Sequence, residues 1–352
     1  MKIASIVGAR PQFIKAAPLS REIRKKYEEV LIHTGQHYDY EMSKIFFDEL
    51  GIPEPDYNLG VGSGTHGYQT GEMLRKIEEV LIKENPDIAL VYGDTNSTLG
   101  GALASTKLHI KLGHIEAGLR SYDKNMPEEI NRVLTDHISD LLFCPTKVSV
   151  ENLKKEGIKN GVYLVGDVMY DSLIYNIKIA EKKSEILKKL ELNKKDYLLL
   201  TIHRAENTDN IENLVKILKA LSKIYEKVIF PVHPRTKNII EKNKIKIGEN
   251  IVLIDPLSYL DFIKLEKYAK KILTDSGGIQ KEAYILKVPC ITLRDRTEWI
   301  ETIEDGWNIL VSRDKNKIID AIKNFNPKEK QRNVYGNGKA ARKIAEVIGD
   351  ME

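Results

Sequence analysis

Short apolar runs of four to eight residues alternate with longer amphipathic stretches along nearly the whole chain, and that alternation constrains the fold more than any other feature. The runs "KIASIV" (2–7), "EVLIHT" (29–34), "DIALVY" (87–92), "IKLGHIE" (110–116), "DLLFC" (140–144) and "GVYLVG" (161–166) read as one series of strands. A second series follows at "DYLLLTIH" (196–203), "KVIFPVH" (227–233), "IVLID" (251–255), "KILTD" (271–275), "PCITL" (289–293) and "NILV" (308–311). Near-continuous apolar strands separated by helical patterns predict parallel sheets covered on both faces, hence an α/β protein of two doubly wound Rossmann-like domains. The length of 352 residues agrees, being too great for one ordinary core. The junction is expected near "GDVMYDSL" (166–173). Ligands of such folds sit beyond the carboxyl ends of the strands, which for two facing sheets means the cleft.

Composition excludes several classes. With 42% hydrophobic and 30% charged residues and no low-complexity tract, the chain is globular. Its 55 basic and 51 acidic residues give a net charge of +4 and are interspersed, so no basic stripe points to nucleic acid. The N-terminus "MKIASIVGARP" has too short an apolar run for a signal peptide or membrane span, which predicts a cytoplasmic protein with no membrane partner. Cys144 and Cys290, each at the end of an apolar strand, read as inert buried residues.

The chemistry-bearing residues cluster just past strand ends. In "VGARPQFIK" the first strand runs into Gly8, Arg10 and Pro11, with Lys15 about one helical turn on; two cations beside a helix N-terminus suit a phosphate, and solvated surface residues are the plainer alternative. Pro18 predicts a kink or restart in this helix. In "TDSGGIQKEA" Ser276 is placed to cap a helix, Gly277 and Gly278 let backbone N–H groups approach a phosphate, and Glu282 is either a ribose-diol acceptor or an ordinary surface residue. "VYGDTNST" offers Asp94 as a helix cap or as a site acid. "GHIEAG" offers His114 and Glu116, with Arg120 a candidate structural partner for Glu116, and "TIHRAEN" offers His203, either a phosphate donor or a buried neutral ring. "GHIEAGLRSYDKNMPEEINR" (113–132) adds Glu128, Glu129 and Arg132.

Several chemistries lack their signatures. "GSGTHG" (62–67) matches a dinucleotide pattern but follows no apolar strand, and no Walker loop occurs, so neither NAD nor ATP-driven chemistry is expected. There is no H-E-x-x-H, cysteine pair or calcium-type loop, and no G-x-S-x-G elbow; neither a metal site nor a serine hydrolase is expected. The carboxylates are left for proton transfer.

"GARPQFIKAAPL", "TGQHYDYEM", "YGDTNSTL", "HIEAGLRS", "MPEEINR", "TIHRAEN" and "TDSGGIQKEA", in this order from residue 8 to about 310, strongly resemble the non-hydrolysing UDP-N-acetylglucosamine 2-epimerases. The resemblance implies the paired architecture called GT-B, with an N-terminal domain of residues 1–168 joined by the C-terminal segment 335–352, and a UDP-binding domain of residues 169–334. A C-terminal helix over 335–350 is expected to return to the first domain. It implies an isomerase that interconverts UDP-N-acetylglucosamine and UDP-N-acetylmannosamine: UDP is eliminated to leave a glycal and adds back after the C2 proton has been replaced on the other face. No cofactor is needed, and a homodimer supplying polysaccharide precursors is implied.

C2–H is scarcely acidic until C1–O weakens, so cations for the leaving diphosphate and carboxylates for the proton must share one site. By resemblance Asp94, Glu116, Glu128 and His203 are the catalytic set, and Arg10, Lys15, Ser276, Gly277, Gly278 and Glu282, with His203, hold UDP. Phe262 lies near the uracil and Arg132 orients the acids, while Gln36 and His37 are candidates for an activator site for a second UDP-sugar. Two departures stand out: "TEWIE" (297–301) has Trp299 where the bacterial pattern T-E-R-P-E has arginine, and "TGQHYDYEM" is longer than its bacterial counterpart. Both resemble the sister branch that epimerises UDP-2,3-diacetamido-2,3-dideoxyglucuronate, the alternative substrate; a GT-B glycosyltransferase or a nucleotide-sugar sensor is a further alternative. A uronate would need an extra cation, for which Arg120 and Arg294 are candidates.

Overall fold

A computed structural model describes residues 1–36, 51 and 53–351. The chain forms two compact units, Met1–Tyr175 with Asn333–Glu352, and Asn176–Arg332. The helix Val168–Lys183 carries the chain from the first into the second.

The first unit contains seven strands: β1 (Lys2–Val7), β2 (Glu28–His33), β3 (Tyr57–Asn58), β4 (Ile88–Tyr92), β5 (Lys111–Ile115), β6 (Leu141–Cys144) and β7 (Val162–Leu164). They pair in the order β3-β2-β1-β4-β5-β6-β7, all parallel. Alternation along β1 explains how both faces are covered. Ala4 and Ile6 join Val30, Ile32, Ala89 and Val91 in a layer beneath the helices His66–Glu84 and Asn96–Lys107, which contribute Met73, Ile77 and Ala102. Ile3, Ser5 and Val7 point to the opposite face, and all five residues of β4 are buried. Each large aliphatic chain so enclosed contributes about 1.5–3 kcal/mol.

The second unit contains β8 (Tyr197–Thr201), β9 (Lys227–Pro231), β10 (Ile251–Ile254), β11 (Lys271–Thr274), β12 (Cys290–Thr292) and β13 (Asn308–Leu310), paired in parallel in the order β10-β9-β8-β11-β12-β13. Its faces are packed by separate apolar clusters, one around Leu198, Leu200, Ile217 and Phe230, the other around Tyr197, Leu199, Leu265 and Ile272. In both sheets the strand order reverses beside the first strand, β1 or β8, the switch point where α/β folds place ligands.

Every strand expected from the apolar runs is present within two residues or so at its ends. β3 was not foreseen, because two residues carry no readable period. The helix Arg10–Ile23 runs unbroken through Pro18, contrary to the expected restart; it is buried against the sheet and the C-terminal helix, and that packing outweighs the missing N–H. The C-terminal helix is Ala340–Gly349, shorter than 335–350, since Gly336 and Gly338 adopt left-handed backbone before it. Both cysteines are buried and free, and burial pushes each thiol up to about 12. Among the described residues no helix is long and apolar enough to cross a membrane.

Candidate active site

In the first unit, the ends of β1, β4 and β5 bring four predicted residues together. The Lys15 ammonium forms an ion pair with Glu116, and both side chains are less than one-tenth exposed. Lys15 is therefore not the solvated surface residue of the plainer expectation. Glu116 follows β5 in the left-handed region at φ 77°, a conformation costing a β-carbon-bearing residue on the order of 1–3 kcal/mol and found where function holds it. The backbone beside it has little freedom: N–H groups of Glu116 and Ala117 both donate to the Phe143 carbonyl at 3.1 Å. Gly93 closes the other side. Its φ is 63°, which favours glycine, and a β-carbon there would stand 2.8 Å from the Lys15 ammonium, so any other residue would strain the turn and displace the end of the Lys15 side chain.

Asp94 does not cap the next helix. Thr95 takes that role, accepting from the Thr98 N–H, and the Asp94 carboxylate pairs instead with Arg132, whose Nε lies 3.1 Å from Oδ2. Arg132 also donates to Glu129 at 2.7 Å. Glu129 in turn accepts from the Ser121 N–H and hydroxyl at 2.9 Å and the Tyr122 N–H at 2.8 Å, tying the 119–122 loop to the helix Pro127–Ile138. Of the two adjacent glutamates, then, the structure commits Glu129 to Arg132, whereas half-buried Glu128 makes no hydrogen bond or ion pair among the described residues. The i, i+3 spacing of Glu129 and Arg132 was the available signal.

The proposed structural pair Glu116–Arg120 is not formed. Arg120 donates to Asp136 at 2.6 Å and to both oxygens of Glu156, each at 2.6–2.7 Å. His114 does not share a ligand set with Glu116 either; its ring is fully buried between Asp136 and the Gly93 carbonyl. Gln36 accepts from the Ser97 N–H at 3.1 Å and hydroxyl at 2.7 Å, at the start of the helix Asn96–Lys107. His37 lies outside the described residues. Arg10 opens the helix Arg10–Ile23, where the Gln12 side chain accepts from the Gly8 and Ala9 N–H groups at 2.8 and 3.0 Å.

In the second unit a fully buried aspartate organises the candidate phosphate region. Asp275 accepts from the N–H groups of His203 and Arg204 at 3.1–3.2 Å and from Asn207 at 3.0 Å, fixing the turn after β8. His203 itself is exposed, with Nδ1 3.3 Å from Asp275, which removes the buried-ring alternative. Ser276 occupies the cap position of the helix Gly277–Ile285, yet its side chain makes no cap hydrogen bond. Gly277 is needed for close approach, since a β-carbon would meet Glu298 Oε1 at 2.1 Å. Glu282 is buried and accepts from the Tyr259 hydroxyl at 3.0 Å, so it is not an ordinary surface residue. Phe262 is half-buried against the cluster around Leu265 and Ile272. Arg294 is paired with Glu298 at 3.0 Å. Trp299 is buried with the Lys281 ammonium 4.0 Å from its ring centre, filling the core.

The family model described as UDP-N-acetylglucosamine 2-epimerase matches residues 21–349. A protein of Methanococcus maripaludis called a UDP-N-acetylglucosamine 2-epimerase homolog is 62% identical over the whole of both chains. The UDP-2,3-diacetamido-2,3-dideoxy-D-glucuronate 2-epimerase of Pseudomonas aeruginosa is 46% identical, again over the whole of both. Among solved structures, the Methanocaldococcus jannaschii UDP-GlcNAc 2-epimerase in complex with UDP-GlcNAc and UDP superposes with a TM-score of 0.93 at 50% identity, covering 99% of this chain and 100% of that one.

Proposed function

The chain belongs to the UDP-N-acetylglucosamine 2-epimerase family, and from that membership we propose that it interconverts UDP-N-acetylglucosamine and UDP-N-acetylmannosamine by eliminating and re-adding UDP through a glycal. The observation that carries this reading is the pairing of two acids with two cations at neighbouring strand ends, Glu116 with Lys15 and Asp94 with Arg132. β4 and β5 are adjacent, and the Gly93 N–H donates to the Ile115 carbonyl at 3.0 Å, so the two carboxylates start from one rigid frame. Inversion at C2 requires a proton to leave one face and another to arrive at the opposite face. Asp94, Glu116 and Glu128 share the acid and base roles, with Arg132 orienting Asp94.

His203, Ser276, Gly277, Gly278 and Glu282 hold UDP together with Arg10 and Lys15, and Phe262 contacts the uracil. Gln36 and His37 belong to an activator site for a second UDP-sugar. The enzyme works as a cytoplasmic homodimer that supplies polysaccharide precursors.

The neutral sugar is favoured over the uronate by the arginines. Arg120 is neutralised by Asp136 and Glu156, and Arg294 by Glu298, so neither of the cations considered for a C6 carboxylate is uncommitted. The test is incubation of the purified protein with each UDP-sugar alone. The manno epimer of UDP-N-acetylglucosamine should form without any acceptor; a preference of more than about a hundredfold in kcat/KM for the diacetamido-glucuronate would overturn the substrate assignment.

A further inference from the structure

His114 lies fully buried behind the paired acids, against the buried Asp136 and Arg120. Its Nδ1 is 2.7 Å from Asp136 Oδ1 and its Nε2 is 2.7 Å from the Gly93 carbonyl oxygen. A carbonyl oxygen only accepts, and so does an ionised carboxylate; a neutral imidazole has one N–H and would turn a lone pair on one of these oxygens. Asp136 is ionised on its own contacts, because its Oδ2 accepts from the Gly118 N–H at 3.1 Å and from Arg120 at 2.6 Å. Burial works against that charge, and the neighbouring His114 and Arg120 outweigh it, holding the carboxyl below the ordinary range. With both ring nitrogens protonated, His114 and Arg120 both face the buried Asp136, and Arg120 also reaches out to the exposed Glu156.

We infer that His114 is a buried imidazolium that positions the Gly93–Asp94 turn, and with it the acids that exchange the C2 proton. The inference rests on the epimerase reading. The ring connects three segments that the reaction needs in register: Gly93, whose N–H is tied to Ile115 and which directly precedes Asp94; Glu116, two residues beyond His114 on the same chain; and the 118–120 backbone, held by Asp136. A β-carbon at Gly93 would stand 2.8 Å from the Lys15 ammonium, so the turn that leads into Asp94 runs beside the Lys15–Glu116 pair. His114 touches no substrate and acts through these neighbours, much as an outer carboxylate holds a ligating imidazole.

Two readouts test this on the full-length protein. Imidazole nitrogen shifts of 15N-histidine-labelled protein, assigned with His114→Gln, should show both ring nitrogens of the folded protein protonated; one unprotonated nitrogen overturns the inference. In kinetics with UDP-N-acetylglucosamine, His114→Asn keeps reach only toward Asp136, so kcat should fall about ten- to a hundredfold while KM and UDP affinity change less than about threefold. His114→Gln, with a donor at the distance of Nε2, should recover most of that loss. Turnover of His114→Asn within about twofold of wild type overturns the positioning role. So does a parallel collapse of kcat, UDP affinity and melting temperature in both variants, which marks a purely structural ring. A wild-type protein inert on both UDP-sugars would remove the epimerase reading and the positioning role with it, whereas failure of the ring spectrum alone removes only the present inference.

Discussion

At Glu116 and Asp94 the chain accepts two buried or half-buried carboxylates, each facing a cation, and proton transfer is the use proposed for them. Glu116→Gln and Asp94→Asn should therefore lower kcat about a hundredfold or more while UDP still binds, whereas His203→Ala should weaken UDP binding. Calorimetric titration with UDP beside steady-state rates separates these outcomes; carboxylate variants with near-normal rates would reduce Asp94 to an ion-pair partner and Glu116 to a strained turn residue. The types and places of these residues were legible in the sequence, because each follows an apolar strand directly. Their partners were not. Lys15 and Glu116 are about a hundred residues apart and meet only because β1 and β5 flank β4 in one parallel sheet, and Arg120 turned from Glu116 to Asp136 and Glu156 for the same long-range reason. The choice between Glu128 and Glu129 depended on helix phase in the first turn of the Pro127–Ile138 helix, which adjacent identical residues conceal.

At the scale of elements, the C-terminal helix Ala340–Gly349 packs on the helix Arg10–Ile23 and is started by Asp171, whose carboxylate accepts from the Ala341 N–H at 2.8 Å. Burial raises that carboxyl to about 6 from an ordinary 3.8, and the backbone donors of Ala341 and Ala340 only partly offset it. A raised acid binds its proton more tightly in the folded state, so its contribution to stability is complete below about pH 4 and is lost as pH climbs through about 6. The stability of wild type relative to Asp171→Asn, read from thermal unfolding, should accordingly fall between pH 4 and pH 6.5, by an amount on the order of 1 kcal/mol once partial exposure is discounted. Asp136 and Asp305, whose carboxyls are held low, act in the opposite direction at more acid pH and cancel in the comparison. A constant difference across the range would show that Asp171 stays ionised. The helix itself was expected from the family resemblance; its first residue was not legible, since the start is set by an aspartate some 170 positions earlier. The uninterrupted passage through Pro18 was likewise hidden, because the packing that overrides a proline is tertiary.

For the whole molecule, the two runs of alternating strands and helices translated almost directly into two parallel sheets, since strands buried on both faces leave the plainest periodic trace a sequence can carry. Assembly leaves no such trace. If the enzyme works as the homodimer proposed, light scattering should report twice the 40.1 kDa chain mass at micromolar concentration, and a chain-mass reading would refute it. The central claim is chemical, and it is that the proton at C2 is removed and replaced while UDP is detached. The measurement that bears on it most directly is turnover of UDP-N-acetylglucosamine in deuterated water with the product analysed at C2. The account predicts UDP-N-acetylmannosamine carrying one deuterium at C2, formed without any acceptor; a manno product with unlabelled C2, or hydrolysis with no epimer, would contradict it.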